Sequence, residues 1–185
     1  MIEQLLIGKR GIGDSEFSFA VYIENQPPMD EYQQLNEVVA LKTGEISRIG
    51  QVCGNGWRKV FNVYAKLLYA LDSNYFNFSS FAPSWQQYRD QYLLQSNSQT
   101  ALLFSPPELI SSSDNNVIHI ICGRTYAKKL LNEGQLAAQL LWLNEEFAID
   151  TKQKIIICPY FDYRQLSNIK IDYLASLLRQ FRATG

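Results

Sequence analysis

The pattern of hydrophobic and polar positions predicts strands and helices that alternate along most of the chain. Apolar residues recur every three or four positions over residues 55–71, which predicts a helix with one apolar face. Shorter runs that are apolar almost throughout are typical of strands buried on both sides. Strands of this kind are predicted at residues 17–24, 100–104, 117–122 and 154–158.

Further helices are predicted between and after these strands. Short helices are expected around residues 32–39 and 84–94, and a helix-like segment begins at Thr125. A start that resembles a capping box at residues 132–135 predicts another helix over residues 135–147. Its apolar face consists of Leu136, Leu140, Leu143 and Phe147, and the face of a last helix consists of Ile171, Leu174, Leu178 and Phe181.

This alternation of buried strands and helices predicts an α/β protein. Strands that are apolar throughout need helices on both of their faces. The expected architecture is therefore three-layer α/β/α, around a short, mostly parallel sheet of about four strands. Neither an internal repeat nor a linker divides the sequence, so we expect residues 1–185 to form a single domain.

Composition and charge narrow the possible functions. Apolar residues make up 46% and charged residues 19% of the chain, which is typical of globular proteins. The formal net charge is −1, so binding to nucleic acid would require a local basic patch. Apolar runs fall short of the ~18 residues that cross a membrane, and the first residues do not resemble a signal peptide. We expect a cytoplasmic protein with no membrane partner.

The cysteines and the single histidine argue against metal and nucleophile chemistry. Cys53, Cys122 and Cys158 form no CxxC pair, and we expect free thiols in a reducing compartment. His119 lies inside an apolar strand, which favours a structural, hydrogen-bonded core position over a catalytic one. With one histidine and no GxSxG motif, the sequence indicates neither a zinc site nor a serine triad, and no cofactor.

Polar residues follow the carboxyl ends of three predicted strands, and in a parallel sheet these ends share the edge where ligands bind. The candidate ligand-binding residues are Asn25, Gln26, Gly123, Arg124, Thr125, Tyr160, Phe161, Asp162, Arg164 and Gln165. Amide side chains can read base edges, arginines can hold phosphate, and aromatic rings can stack. Two structural alternatives stay open: Thr125 as a helix N-cap, and Asp162 paired with Arg164.

A glycine-rich stretch at residues 8–14 is a weaker candidate. It superficially resembles a phosphate-binding loop, but it precedes the first predicted strand. A phosphate cradle requires a loop that follows a strand and leads into a helix. We therefore do not expect this stretch to bind phosphate.

Two segments resemble the uracil-DNA glycosylase family. Residues 117–130 (VIHIICGRTYAKKL) look like the strand–glycine–YAQKK segment of these enzymes. Residues 154–167 (KIIICPYFDYRQLS) are similar to the strand that leads into their HPSPLS loop. Two motifs differ: residues 24–28 (ENQPP) stand in place of GQDPYH, and Asp162 falls where the HPSPLS histidine would be. The resemblance covers about the last third of the chain and implies the fold without the glycosylase chemistry.

The first functional hypothesis follows from this resemblance and from the residues at the strand ends. It is a non-catalytic or divergent glycosylase-like module that binds a nucleotide or nucleic acid at the carboxyl edge of the strands. Arg124 and Arg164 would hold phosphate, and Tyr160 or Phe161 would stack on a base. Because the chain is slightly acidic, binding to nucleic acid should be weak and dependent on salt.

Two other classes of function remain open. An enzyme that acts on a small polar metabolite would use Asp162 or Glu24 as acid or base, in a closed pocket that raises the carboxyl pKa. A protein–protein adaptor would use the aromatic-rich segment of residues 72–98. Its aromatic side chains are Tyr75, Phe76, Phe78, Phe81 and Trp85, together with two further tyrosines.

Overall fold

A computed structural model of the chain describes residues 8–109 and 116–183, and one β-sheet forms its centre. Within these residues the strands are β1 (Gly11–Gly13), β2 (Phe19–Tyr22), β3 (Val38–Val39), β4 (Thr100–Leu103), β5 (Ile118–Cys122), β6 (Leu141–Trp142), β7 (Ala148–Asp150) and β8 (Ile155–Cys158). The helices are α1 (Asp30–Gln33), α2 (Glu45–Cys53), α3 (Asn55–Ala70), α4 (Trp85–Gln91), α5 (Arg124–Asn132) and α6 (Asn168–Ala183), with a 3₁₀ turn at Phe78–Ser80.

The sheet order is β3-β1-β4-β2-β5-β8-β7-β6, and its four central strands are parallel. At one side β1 is antiparallel to β4, and at the other β7 and β6 continue the sheet in antiparallel pairs. The expected α/β class is confirmed. The expected number of about four strands is too low; the four outer strands have only two or three residues each, too few to show the period of a strand in the sequence.

The parallel strands bury side chains on both faces of the sheet. Along β2, Phe19 and Val21 point into the core of the first face, and Ala20 and Tyr22 point into the core of the second. Helices α2, α3, α4 and α6 contribute to the first core, whereas the helical contribution to the second core comes from α5. The two faces are therefore covered very unequally.

Helix α3 anchors the first face and begins where the sequence pattern places it. Its side chains at three- and four-residue spacing are buried against the sheet. Tyr64 on this buried side donates its hydroxyl to the carbonyl oxygen of Ala101 at 2.8 Å and lies 3.4 Å from that of Phe19. The hydroxyl thereby ties the helix to the backbone of β4 and β2.

The helix predicted over residues 135–147 is wrong. After α5 ends, Gly134 adopts a positive φ of 69°, and the chain continues through a loop into the β6–β7 hairpin. The Asp150 carboxylate organises this loop by accepting hydrogen bonds from backbone N–H groups. The donors are Gln139, Lys152 and Gln153, at 2.9, 3.1 and 3.0 Å. Spacing of four residues fits a helix, but these local bonds favour the loop.

Two segments near the amino terminus also differ from the sequence pattern. The short helix expected around residues 32–39 is the four-residue α1, followed by β3. The glycine-rich stretch of residues 8–14 contains β1, which lies unusually close to β4. A Cβ atom at Gly11 would lie 2.4 Å from the Leu102 carbonyl oxygen. A Cβ atom at Gly13 would lie 2.4 Å from the Thr100 carbonyl oxygen. These glycines therefore permit strand pairing.

Two buried tyrosines of the first face provide a matched test of its hydrogen bonding. Among the described residues, the Tyr88 hydroxyl is buried without a hydrogen-bond partner, whereas the Tyr64 hydroxyl is bonded. We expect Tyr88→Phe to leave the free energy of unfolding unchanged or raise it by up to about 1 kcal/mol, because it removes an unpaired polar group. Tyr64→Phe should lower it by about 1–2 kcal/mol. Urea denaturation measures both; equal losses in the two variants would contradict the prediction.

Candidate functional site

The order of the parallel strands creates a topological switch point at their carboxyl edge. Along the chain the central strands are β2, β4, β5 and β8, but in the sheet they lie as β4-β2-β5-β8. The chain thus leaves β2 toward one side of the sheet and later continues from β5 toward the other side. The connections cover opposite faces, since α3 lies on the first and α5 on the second. Ligands of open α/β sheets bind at such a switch point.

Two of the predicted segments border this switch-point crevice, which we define by residues 23–28 and 123–125. Strands β2 and β5 are neighbours, with Tyr22 opposite Ile121, so the two segments leave the sheet side by side. Asn25 is exposed and Gln26 is half-buried. The topology therefore brings together predicted residues that are far apart in the sequence.

The first turn of α5 presents an electropositive end to the crevice. Its N-cap is Gly123, so the alternative in which Thr125 caps the helix is wrong. Gly123 has a φ of 103°, which favours glycine, and it offers no side chain to bond the first N–H groups. The first turn also lacks an acidic residue. Free N–H groups and the helix dipole together favour an anion at this position.

Arg124 lies at the start of α5 with its guanidinium on the protein surface. Nη1 donates a hydrogen bond to the Glu145 carbonyl oxygen at 2.9 Å, and the guanidinium lies 5.4 Å from the centre of the Trp142 ring. The hydrogen bond uses one of its five N–H donors. Trp142 therefore orients the side chain at the helix start without neutralising its charge.

The segment after β8 places one predicted aromatic residue beside the crevice and one in the core. Tyr160 is 36% exposed, and a Cβ at Gly123 would lie 3.8 Å from its ring. Burial raises the pKa of Tyr160 to about 12, which keeps its hydroxyl protonated. Phe161 is fully buried, with its ring centre 5.8 Å from that of Tyr64. Of the two, only Tyr160 offers a face to a ligand.

Asp162 is held by two cations. Its carboxylate accepts hydrogen bonds from Arg164 Nη2 at 2.8 Å and Nε at 3.2 Å, and Lys59 Nζ lies at 3.6 Å. The hydrogen bonds from Arg164 lower the pKa of Asp162 to about 2. The structure thus shows the alternative in which Asp162 pairs with Arg164. Gln165 is exposed, and its backbone N–H donates to the Asp162 carbonyl oxygen at 2.8 Å.

The other carboxylate considered as acid or base is also engaged with a cation. Glu24 Oε1 lies 2.9 Å from Nζ of Lys129, in an ion pair that joins the segment after β2 to α5. Both side chains of this pair are partly exposed. General acid–base catalysis needs a group that exchanges a proton near neutral pH. The Asp162 carboxylate does not provide such a group, because its ion pairs keep it ionised.

Sequence reasoning missed a cleft on the second face of the sheet, which we call the histidine cleft. It encloses about 1310 Å³. Phe17, Val117 and Gln153 line it, and they lie one or two residues before β2, β5 and β8, so it lies at the amino end of the parallel strands. His119 of β5 also lines it. The one feature of the sequence that could have indicated this cleft is His119, a polar residue within an apolar strand.

His119 has the buried, hydrogen-bonded setting expected of a core histidine. Its Nδ1 lies 2.7 Å from the Tyr22 hydroxyl, and both residues are buried. Burial, with a smaller effect of Lys9, lowers the pKa of His119 to about 4, so the ring is neutral at pH 7. Burial also raises the pKa of Tyr22, which therefore keeps its proton.

The aromatic-rich segment of residues 72–98 divides between core and surface. Phe76 and Phe78 are buried in the first core, and Trp85 packs against it. Tyr75 and Phe81 are 37% and 44% exposed. The surface that an adaptor would use in this segment is therefore smaller than its composition suggests.

The described residues contain no cluster of three or more metal-ligating side chains, and none of their helices is long and apolar enough to cross a bilayer. Cys122 and Cys158 are buried free thiols that face each other on β5 and β8, and Cys53 is a half-buried free thiol. The expectation of unbridged cysteines is confirmed.

Taken together, these features define a mixed α/β protein with a switch-point crevice at one end of its parallel strands and a cleft at the other. The chain belongs to a family described as a family of unknown function (DUF6942), whose model matches residues 10–179. Neither a curated protein nor a solved structure matches the chain. The matched range contains all residues of the switch-point crevice.

The paired state of Asp162 predicts a specific dependence of stability on pH. A carboxyl group whose pKa is lowered on folding stabilises the protein above its unfolded pKa of about 4, and this contribution is lost as the pH falls toward 2. Because Arg164 is largely exposed, we expect Asp162→Asn to lower the free energy of unfolding at pH 7 by only about 1 kcal/mol. Because pH 2.5 is still slightly above the folded pKa of about 2, the difference from wild type should be much smaller there but not absent.

Urea denaturation at both pH values measures this effect. Asp172→Asn is the matched control, since Asp172 is an exposed carboxylate on α6. It should change the free energy of unfolding little at either pH. A difference for Asp162→Asn that persists undiminished at pH 2.5 would show that the ion pairs do not stabilise the fold.

Proposed function

We propose that the protein is a non-catalytic binding module for a small phosphate-bearing ligand, a nucleotide, in the switch-point crevice. The strand order carries this proposal, because it opens the crevice between segments that end in polar residues on one side and in a helix start on the other. The resemblance to uracil-DNA glycosylases supports a nucleotide over other phosphate compounds. It also extends the proposal to a glycosylase-like fold.

The phosphate group would bind at the start of α5. Gly123, the N-cap, offers no side chain to the N–H groups of the first turn, and Arg124 adds a full positive charge beside them. Arg164 is a poorer phosphate ligand than the sequence suggests. Two of its nitrogen atoms already donate to Asp162, so a phosphate would have to compete with that carboxylate. We therefore assign the phosphate contact to Arg124.

The base would bind between Tyr160 and the segment after β2. The Tyr160 ring stands beside Gly123, whose missing side chain leaves room for a ligand next to the aromatic face. Asn25 and Gln26 supply amide donors and acceptors on the other side of the crevice. A stacked base contributes about 1–3 kcal/mol to binding. Phe161 has no part in this contact because it is buried.

Two features favour a nucleotide over a long nucleic acid, and binding over catalysis. A polymer needs a stripe of cations, but the net charge of the chain is −1 and several basic side chains near the crevice are paired with acids. The carboxylates that might act as acid or base are paired with the same cations. One phosphate contact should also make binding only moderately sensitive to salt.

Calorimetric titration with AMP and UMP, and with the matching nucleosides, tests the proposal. We expect the nucleotides to bind and the nucleosides to bind at least tenfold more weakly, because they lack the phosphate. Arg124→Gln should weaken nucleotide binding about tenfold, and Tyr160→Ala should do so by a similar factor. Lys128→Gln is the control, since Lys128 is an exposed cation on the same helix. Its effect should stay within about twofold.

Two results would overturn the proposal. Nucleotides that do not bind at millimolar concentration would exclude the crevice as a nucleotide site. Equal losses in Arg124→Gln and Lys128→Gln would show that binding depends on general charge and not on the start of α5.

A further inference from the structure

The histidine cleft lies at the opposite end of the parallel strands from the switch-point crevice, and its polar floor calls for a separate explanation. A buried polar side chain is unfavourable unless its hydrogen-bonding groups are satisfied. The hydrogen bonds of the described residues give the His119 side chain one partner, Tyr22, which contacts one of its two ring nitrogens. His119 is 92% buried, and it lines a cleft large enough for a small molecule.

The contact with Tyr22 decides which ring nitrogen of His119 carries the hydrogen. A phenol hydroxyl that stays protonated is the natural donor in this pair, because neutral imidazole accepts well at its bare nitrogen. With the Tyr22 hydroxyl as donor to Nδ1 at 2.7 Å, the ring hydrogen is on Nε2. The second nitrogen then acts as a hydrogen-bond donor.

The charged residue that acts most directly on His119 is Lys9. Its ammonium group lies 5.3 Å from the centre of the Phe17 ring, and both residues line the cleft. Of the charged side chains around the cleft, Lys9 is the one whose charge affects the ionisation of His119. Lys9 thus adds a positive contribution to the potential at the imidazole, and this contribution favours an anionic group there.

The acidic residues of the cleft are placed less favourably for contact with His119. Asp150 already accepts four hydrogen bonds from the loop that it organises. Glu16 and Glu108 are exposed, although Glu108 lies near enough to Tyr22 to help raise the pKa of its hydroxyl. The remaining lining mixes polar and apolar residues, and Leu136 and Val117 are among the apolar ones.

We propose that the histidine cleft is a second binding site, and that it holds a small carboxylate with an apolar body. The carboxylate accepts a hydrogen bond from Nε2 of His119 and pairs with the ammonium group of Lys9. The apolar body packs against Phe17, Val117 and Leu136. This site does not depend on nucleotide binding at the switch-point crevice.

The single histidine of the chain makes the test direct, because its ring signals in NMR report on the cleft alone. The probes are benzoate, benzylamine and benzyl alcohol, which share the aromatic body and differ in charge. We expect benzoate to shift the His119 signals and to raise the pKa of His119 by at least about one unit, because a carboxylate stabilises the charged imidazolium. Benzylamine and benzyl alcohol should shift the signals at least tenfold more weakly at equal concentration.

Two variants separate this site from the switch-point crevice. Lys9→Gln should weaken benzoate binding at least fivefold, and the side chain that it changes is only half-buried. Arg124→Gln should leave benzoate binding unchanged, since Arg124 lies at the other end of β5. Nitrogen chemical shifts of the free protein should also show the ring hydrogen on Nε2.

Several outcomes would overturn the proposal. Equal responses to the three probes would indicate an apolar cavity with no preference for carboxylate, and a preference for benzylamine would indicate the opposite charge. No response at 10 mM, or a ring hydrogen found on Nδ1, would each exclude the proposed contact. A loss of nucleotide binding in Arg124→Gln with benzoate binding intact would support two independent sites.

Discussion

The second face of the sheet has to be covered by a helix of nine residues, and both candidate sites follow from that constraint. Such a helix is about 14 Å long and about 10 Å wide. Eight strands spaced about 4.8 Å apart span about 34 Å. Helix α5 contacts β5 and β8, and the histidine cleft lies where its cover ends, at the amino end of these strands. The N-terminus of α5, which no N-cap side chain covers, lies at the carboxyl end of these strands, beside the switch-point crevice.

Strand β5 connects these two regions and also keeps them apart. His119 lies near its beginning and Gly123 directly after its end. A strand rises about 3.3 Å per residue, so the two positions are about 13 Å apart along the sheet. A ligand of the size of a benzoate or a mononucleotide base cannot reach both. On the first face, by contrast, α3 and α6 cover the same strands fully, and the tyrosine hydroxyl of α3 bonds to the strand backbone.

The parts of the fold that the sequence predicts are those with long or continuous apolar patterns. Strands β4, β5 and β8 and helices α3 and α6 fall within a few residues of their predicted positions, because burial forces a regular pattern on them. The outer strands are too short to show a period. Leu136 and Phe147 are both buried, but the hairpin and the Asp150 carboxylate place them there, and a helix of the same spacing would look identical in the sequence.

The location of the crevice was predictable because parallel strands share one carboxyl edge, but the partners of its side chains were not. Tyr160 and Phe161 are adjacent and chemically similar, yet one is at the surface and the other in the core. The chain turns between them and the next residue, where the Asp162 N–H donates to the Tyr160 carbonyl oxygen at 2.7 Å. Of the two cations that contact the Asp162 carboxylate, Lys59 comes from α3, which is far away in the sequence. The main effect on the pKa of Asp162 nevertheless comes from Arg164, only two residues away, so the local sequence contained the decisive pair but could not show that it forms.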